Sequence, residues 1–301
     1  MSLVSCICTT VPSRLPHLQR AILNYCEQTY ATKELIIVTS DTKHAVQIQS
    51  FLINNTSRCG GHRIKVIARP YVRQVLDGLV QALTVARGDY IALWDDDNLS
   101  DPRRLAAQME RQLLVGQTGV TVLANAMYHY RDTNELFVVD FSDNDASLPV
   151  SHRCCTPSAI YPRDLLPPLD ASTRNYPSAD MLNYCANNFN HIKVNILRSR
   201  ENLFLAGIHF VGHIKPFEYY RTLASNALGT KTATWLKLNQ EEIVKALIQF
   251  KWDHPEIDVE GVDGSGFKFS VPDSNQWINH VVTPMPKLEM PDVVRESVND
   301  A

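Results

Sequence analysis

The sequence of 301 residues lacks an excess of charge of either sign, and it lacks long hydrophobic runs. Its formal net charge is -3, so global electrostatics gives no reason to expect a polyanionic partner such as nucleic acid. No stretch reaches the roughly 18 apolar residues that a membrane helix needs, and no basic segment precedes an apolar core at the N-terminus. We therefore expect a cytoplasmic protein without a membrane segment.

Cysteine spacings typical of disulfide frameworks or zinc sites are also missing. The seven cysteines are odd in number and scattered, mostly within apolar runs, and we expect reduced, buried thiols. Internal repeats and low-complexity segments are lacking as well. The hydrophobic residues, 45% of the chain, are enough for a sizeable core.

Alternating strand and helix patterns fill the first 115 residues. Short apolar runs predict strands at residues 3–8, 35–38, 64–68 and 90–94, with helical spacing of apolar residues between them. This order predicts a parallel sheet covered by helices. Gly88 follows the third helical pattern, and we interpret it as the C-terminal cap of that helix. From about residue 118 the pattern changes: residues 120–127 and 136–141 predict strands, and residues 239–250 predict a helix.

Three consecutive carboxylates follow the fourth predicted strand. Open α/β sheets bind ligands at the carboxyl ends of their strands. In an extended chain, Asp95 and Asp97 would face the same side while Asp96 points away. Two hard oxygen donors suit Mg²⁺ or Mn²⁺, which complete their shells with water and substrate phosphate. The alternative is a solvated loop that caps the next helix, but three carboxylates after a buried strand are costly unless something neutralises them.

Three blocks of the sequence resemble family 2 of the glycosyltransferases. They are residues 4–10 (VSCICTT), residues 15–38 and residues 86–98 (ARGDYIALWDDDN), in the family's order and spacing. The resemblance implies an α/β protein of the GT-A type, with a Rossmann-like nucleotide-binding sheet flanked by helices and a mixed acceptor-side half. It places the nucleotide-sugar-binding half at residues 1–115 and the acceptor-binding, catalytic half at residues 116–229. Residues 230–301 would be a C-terminal extension of helix and strand.

The resemblance also implies the donor site. The donor would be a nucleotide diphosphate sugar, UDP-linked, with Thr9, Thr10 and Asp41 near its base and ribose. Asp95 and Asp97 would hold its diphosphate through Mn²⁺ or Mg²⁺.

Two positions depart from the family's pattern on the donor side. The chain reads Thr39-Ser40-Asp41 where the family often has an acidic pair, and Leu79-Val80 where it often has Arg-Asn. Arg73 is the candidate that replaces the missing phosphate contact, and the resemblance places Arg14 close to the donor.

In the acceptor half, the family usually carries a Glu-Asp pair at a helix start, whose Asp is the general base. The matching place reads Ser178-Ala179-Asp180, so Asp180 is the candidate base without the preceding Glu. Burial would suit this role by raising the pKa of the carboxyl group, although a helix-terminal Asp also interacts favourably with the helix dipole. His213, or else His209, is the candidate third metal ligand, against the commoner structural role of a lone histidine.

The leading hypothesis is direct transfer of a sugar with inversion to an acceptor hydroxyl. The acceptor is left open among glycans, lipids, small molecules, proteins and modified DNA bases. Sugar-1-phosphate nucleotidyltransferases are an alternative with a related fold, but the Gly-rich basic loop that they carry after the first strand is lacking in residues 9–14. The remaining alternative is a non-catalytic GT-A scaffold that binds a nucleotide or sugar.

Overall fold

The computed structural model describes residues 2–69, 75–114, 119–130, 135–141, 154–166, 181–182, 193–197, 204–208 and 234–237. The strands are β1 (Val4–Thr10), β2 (Lys33–Thr39), β3 (Arg63–Ala68), β4 (Tyr90–Leu93), β5 (Asn98–Ser100), β6 (Gly119–Leu123), β7 (Asn125–Tyr130), β8 (Glu135–Asp140), β9 (Cys155–Pro162), β10 (Lys193–Leu197), β11 (Phe204–Ile208) and β12 (Thr234–Lys237). The helices are α1 (Leu15–Cys26), α2 (Thr42–Asn54), α3 (Thr56–Cys59), α4 (Val75–Leu83) and α5 (Arg104–Leu114). Within these ranges no helix has the length and apolar content to cross a membrane.

Seven strands form the main sheet in the order β10-β6-β9-β4-β1-β2-β3. Neighbouring strands run parallel except at β9, which is antiparallel to both β4 and β6. The predicted fold class, a mostly parallel nucleotide-binding type of sheet flanked by helices, is confirmed. The predicted halves 1–115 and 116–229 share this sheet, because β6, β9 and β10 join the strands of the first half.

Each face of the main sheet is covered by its own apolar cluster. Cys6 and Cys8 of β1 pack with α1 and α5 on one face, whereas Ile7 packs with α4 on the other. This alternation follows from the two-residue period of a strand. Strands buried on both faces read as continuous apolar runs, which is why these segments stand out in the sequence. Six of the seven cysteines are buried thiols, and Cys185 lies outside the described residues.

A second sheet of five strands has the order β12-β8-β7-β11-β5. The single strand predicted at residues 120–127 is wrong, because the chain changes sheets there: β6 belongs to the main sheet and β7 to the second one. Ala124 separates the two strands, and its carbonyl accepts the N–H of Phe141 at 2.9 Å. The helix predicted at residues 239–250 lies outside the described residues.

Gly88 does not cap a helix, so that prediction is wrong. The helix α4 ends at Leu83, five residues earlier, and Gly88 lies where the chain passes close to the start of β1. A Cβ atom on Gly88 would lie 2.6 Å from the backbone nitrogen of Ser5 and 2.8 Å from the carbonyl oxygen of Leu3. The N–H of Gly88 donates to the Ser5 hydroxyl at 2.8 Å. Only a residue without a side chain fits this contact.

We expect Gly88→Ala to lower the free energy of unfolding by about 3 kcal/mol, because the added methyl group meets backbone atoms that cannot rotate away. Urea denaturation of the purified variant measures this change. Gly61→Ala is the matched control, since a Cβ atom there meets nothing within 4 Å. Equal stability of the two variants would contradict the close contact at Gly88.

Candidate active site

The candidate site lies at the carboxyl edge of the main sheet, at its centre. Strand β1 pairs with β2 on one side and with β4 on the other. Thr9 and Thr10 end β1, Asp41 follows β2, and Asp95 follows β4. Parallel strands are spaced about 4.8 Å apart, so the ends of β2 and β4 lie about 10 Å apart with β1 between them. One edge therefore carries all the donor-side candidates that the structure describes.

The acidic run forms a turn rather than an extended chain. Strand β4 ends at Leu93, and the N–H of Trp94 still donates to the carbonyl of Ile7 in β1, at 2.9 Å. Asp96 and Asp97 then turn, and the N–H of Asn98 donates to the carbonyl of Asp95 at 3.4 Å. The expectation that Asp96 points away from its two neighbours assumed an extended backbone, and it is wrong.

Asp96 links the acidic turn to the segment after β1. Its side chain is only 2% exposed. One carboxylate oxygen accepts the hydroxyl of Thr10 at 2.8 Å, and the other accepts the guanidinium of Arg14 at 2.7 Å. Both oxygens are thus bound within the protein, so Asp96 has a structural role at the site.

The carboxylates of Asp95 and Asp97 accept fewer hydrogen bonds from the described residues than that of Asp96 does. Asp95 accepts the side-chain amide of Asn98 at 2.8 Å through one oxygen, and Asp97 accepts the guanidinium of Arg14 at 2.8 Å through one oxygen. The second oxygen of each carboxylate accepts no hydrogen bond from any residue that the structure describes. Both side chains remain partly exposed. Two hard oxygen donors are thus left available at the edge of the sheet.

Burial and mutual repulsion disfavour the charged forms of the carboxylates in the turn. Burial, and then repulsion by Asp97, raise the pKa of Asp95 to about 6 and that of Asp96 to about 7, although Arg14 opposes both shifts. A divalent cation suits such a site in both charge and ligand type. Within the described ranges, no three His, Cys, Asp or Glu side chains are placed to hold a metal ion. A divalent ion at Asp95 and Asp97 would thus need further ligands from outside the described side chains, and water and substrate phosphate are the usual ones.

A buried arginine lies beneath the acidic turn. The guanidinium of Arg104 is 5.4 Å from the ring centre of Trp94 and donates to the Ser100 hydroxyl at 2.9 Å and to Gln108 at 3.1 Å. Its charge lowers the pKa of Asp95, opposing the effect of burial on that carboxyl group. Arg104 is not among the residues predicted from the sequence. The spacing of Arg104 and Gln108, four residues apart on α5, was the available signal, because it places both side chains on one helix face.

Two side chains, one in α1 and one just after it, fix the segment that follows the acidic turn. Asn24 donates to the carbonyl of Ser100 at 2.6 Å and accepts its N–H at 2.7 Å. Gln28, one turn later, donates to the carbonyl of Asp101 at 2.8 Å and accepts the N–H of Leu105 at 3.2 Å. Because all four bonds are buried, breaking any of them leaves an unpaired backbone group. The turn is therefore held rigidly on its C-terminal side.

A match to a protein-family model shows the family to which this chain belongs. The model described as "Glycosyl transferase family 2" matches residues 6–166, which is more than half of the chain and includes the whole acidic turn. The chain belongs to glycosyl transferase family 2. The predicted family is thereby confirmed, and the protein is a glycosyltransferase by its family.

Solved structures of two proteins resemble this family 2 protein at low sequence identity. TarS 1-349 from S. aureus, in complex with UDP-GlcNAc, is 16% identical with a TM-score of 0.49, over 92% of this chain and 79% of that chain. The mannosyltransferase PcManGT from Pyrobaculum calidifontis, in complex with GDP-Man and Mn²⁺, is 14% identical with a TM-score of 0.46, over 75% and 61% of the two chains. No curated protein matches the sequence.

Asp41 caps the helix α2 of this family 2 protein. One carboxylate oxygen accepts the N–H groups of His44 at 3.0 Å and of Lys43 at 2.6 Å, and the bond from His44 contributes most to lowering the pKa of Asp41. The His44 ring lies 3.0 Å from the Thr39 hydroxyl. Asp41 is partly exposed at the same edge as Thr9, and its contact with a nucleoside stays a prediction.

The remaining site candidates lie outside the described residues. These are Arg73, Asp180, His209 and His213. The two residues after Asp180 are described: Met181 and Leu182 are helical, fully buried, and packed in the apolar cluster on the α4 face of the main sheet.

Proposed function

We propose that this family 2 protein transfers a sugar from a nucleotide diphosphate sugar to an acceptor hydroxyl, with inversion and with Mn²⁺ or Mg²⁺. One observation carries the proposal: Asp95 and Asp97 each have a carboxylate oxygen that no described residue binds, while both oxygens of Asp96 are bound. This difference supports Asp95 and Asp97, rather than Asp96, as the candidate metal ligands. The proposal includes a cytoplasmic location, in keeping with the buried thiols of the main sheet.

Asp95 and Asp97 would hold the ion, with donor phosphate in the rest of its shell. A bound divalent ion stabilises the negative charge that develops on the leaving diphosphate. Thr9, Thr10 and Asp41 would lie along the base and ribose of the nucleoside, as the family resemblance implies. That resemblance is also the reason for proposing a UDP-linked donor.

Asp180 would accept the proton of the acceptor hydroxyl as that oxygen attacks the anomeric carbon from the face opposite the diphosphate. The support is positional: the residue directly precedes a buried helical segment on the main sheet, and it matches the family's base in sequence. His213 would be a further metal ligand and Arg73 a further phosphate contact, both on the resemblance alone.

A non-catalytic scaffold is the second candidate, and one observation favours it. Leu79 stands where the family often has an arginine, and its side chain is 2% exposed within the core. This position therefore contributes packing rather than a phosphate contact. A nucleotidyltransferase has less support, because the segment between β1 and α1 contains no glycine.

Thermal unfolding with a panel of nucleotide sugars, each with Mn²⁺ and with chelator, tests the proposal. A donor at a hundred times its Kd adds about 2.7 kcal/mol of stability, so we expect Tm to rise by about 5 °C. The rise should need Mn²⁺, because the ion joins the diphosphate to Asp95 and Asp97. The matching nucleoside monophosphate is the control, and its smaller shift should depend less on Mn²⁺.

A shift that is unchanged by chelator would contradict the metal-dependent donor site. Chromatography that monitors the release of nucleoside diphosphate from the selected donor distinguishes the enzyme from the non-catalytic scaffold. Slow hydrolysis or transfer supports the enzyme, whereas binding without any release supports the scaffold.

A further inference from the structure

Arg14 makes a forked ion pair with two carboxylates of the acidic turn. One terminal nitrogen lies 2.7 Å from an oxygen of Asp96, and the other lies 2.8 Å from an oxygen of Asp97. The side chain of Asp96 is 2% exposed and that of Asp97 is 10% exposed, whereas Arg14 is 28% exposed. Water screens this pair little on the carboxylate side, so the interaction is stronger than a surface ion pair.

The local backbone fixes the position from which the Arg14 side chain extends. Residues Pro12–Arg14 form a single 3-10 turn directly before α1, and the N–H of Arg14 donates to the carbonyl of Val11 at 2.9 Å. The Arg14 side chain is bonded to the acidic turn and is still partly exposed, so a phosphate group bound beside the turn would lie within its reach. A guanidinium fork matches the oxygens of a phosphate group as well as it matches carboxylates.

These contacts place a positive charge against one of the two proposed metal ligands. A cation that approaches Asp97 alone meets this charge and must also compete for the carboxylate. A cation that arrives with a diphosphate competes less with Arg14 for Asp97, because the phosphate oxygens offer the guanidinium a new partner. The position of Arg14 thus affects the order in which ligands bind.

We infer that Arg14 is a built-in counter-ion of the acidic turn, which weakens cation binding in the absence of the donor and releases Asp97 when a diphosphate arrives. Arg14 is a positioning residue in this scheme, and it couples the binding of cation and diphosphate. The inference rests on the proposed function, since it takes Asp95 and Asp97 as the cation ligands.

The test compares the wild type with Arg14→Gln by Mn²⁺ titration, followed by the electron paramagnetic resonance of free Mn²⁺. Without nucleotide, we expect Arg14→Gln to bind Mn²⁺ about tenfold more tightly, because one partly buried ion pair no longer competes for Asp97. With saturating UDP, we expect the two proteins to differ less. The factor by which UDP increases Mn²⁺ affinity should therefore fall about tenfold in the variant.

Arg87→Gln is the matched control, because Arg87 is exposed near the amino end of β4, at the opposite edge of the sheet. It should leave both affinities unchanged. Arg14→Gln leaves the buried Asp96 with Thr10 alone, which can prevent folding. If Arg14→Gln does not fold, Mn²⁺ affinity is compared between Asp96→Asn and the double variant Asp96→Asn/Arg14→Gln. Residue 96 is then uncharged in both proteins, so removing Arg14 leaves no buried carboxylate without its partner. The same tenfold tightening is expected.

Equal or weaker binding of Mn²⁺ by the Arg14 variant would overturn the inference while leaving the proposed function intact. An undiminished effect of UDP on Mn²⁺ affinity would overturn it as well. If neither protein binds Mn²⁺, with or without UDP, both the inference and the metal-dependent donor site fail.

Discussion

Asp97→Asn is expected to lower the rate of sugar transfer about a thousandfold. An amide oxygen is a weaker ligand than a carboxylate, and the negative charge that attracts the cation is lost. Stabilisation of a leaving group by a metal ion amounts to several kcal/mol, and about 4 kcal/mol corresponds to a factor of a thousand in rate. Initial rates at saturating Mn²⁺, with the donor selected by thermal unfolding, measure the loss.

Asp89→Asn is the control for this variant, because it makes the same substitution next to the amino end of the same strand. Asp89 is exposed there and accepts the N–H of Leu3 at 3.1 Å, a bond that an amide oxygen can also accept. We expect its rate to stay within twofold of the wild type. Full transfer by Asp97→Asn in chelator-treated buffer would exclude the proposed role of the acidic turn.

Asp180→Asn is expected to lower kcat by about 10²- to 10⁴-fold, which is the usual contribution of a general base. Donor binding should be unchanged, because Asp180 would act on the acceptor and not on the diphosphate. The measurement therefore combines kcat with the thermal shift produced by donor and Mn²⁺. A loss in kcat with a normal shift separates this residue from the metal ligands.

Asp164→Asn serves as the control for Asp180, since Asp164 is an exposed carboxylate on the short turn after β9. A normal kcat in Asp180→Asn would remove that residue as the base. A loss of donor binding in the same variant would indicate that Asp180 contacts the donor and not the acceptor.

The strands β1, β2 and β4 of the main sheet were predictable because they are buried on both faces. The apolar runs at β1, β2 and β4 have few polar interruptions, and they alternate with helical patterns as parallel sheets require. The exchange between sheets at Ala124 was not predictable. Val120 to Met127 is an almost continuous apolar run, and nothing in its local pattern marks the residue where the chain leaves one sheet for the other.

The location of the acidic turn followed from sequence, but its conformation did not. A run of three aspartates after a strand indicates a ligand-binding edge, whichever way its side chains point. Their directions depend on Thr10 and Arg14, which lie more than eighty residues earlier in the chain. Pairwise contacts at that separation are set by the packing of β1 against β4, which local periodicity does not specify.

Gly88 and Arg104 illustrate the same limit. A glycine after a helical pattern indicates a C-terminal cap. Gly88 is instead needed because the start of β1 passes so close that no Cβ atom would fit. Arg104 looks like a surface residue of an amphipathic helix, but it is 1% exposed. Its partners Trp94 and Ser100 become neighbours only after the acidic turn has formed.

The short strand β5 places the acidic turn between the two sheets. It begins at Asn98, one residue after Asp97, and it pairs with β11 at the border of the second sheet. The turn is therefore anchored to β1 through Trp94 on one side and to β11 through β5 on the other. We expect substitutions that displace β11 to change the position of the carboxylates, even where they lie far from the proposed phosphate position.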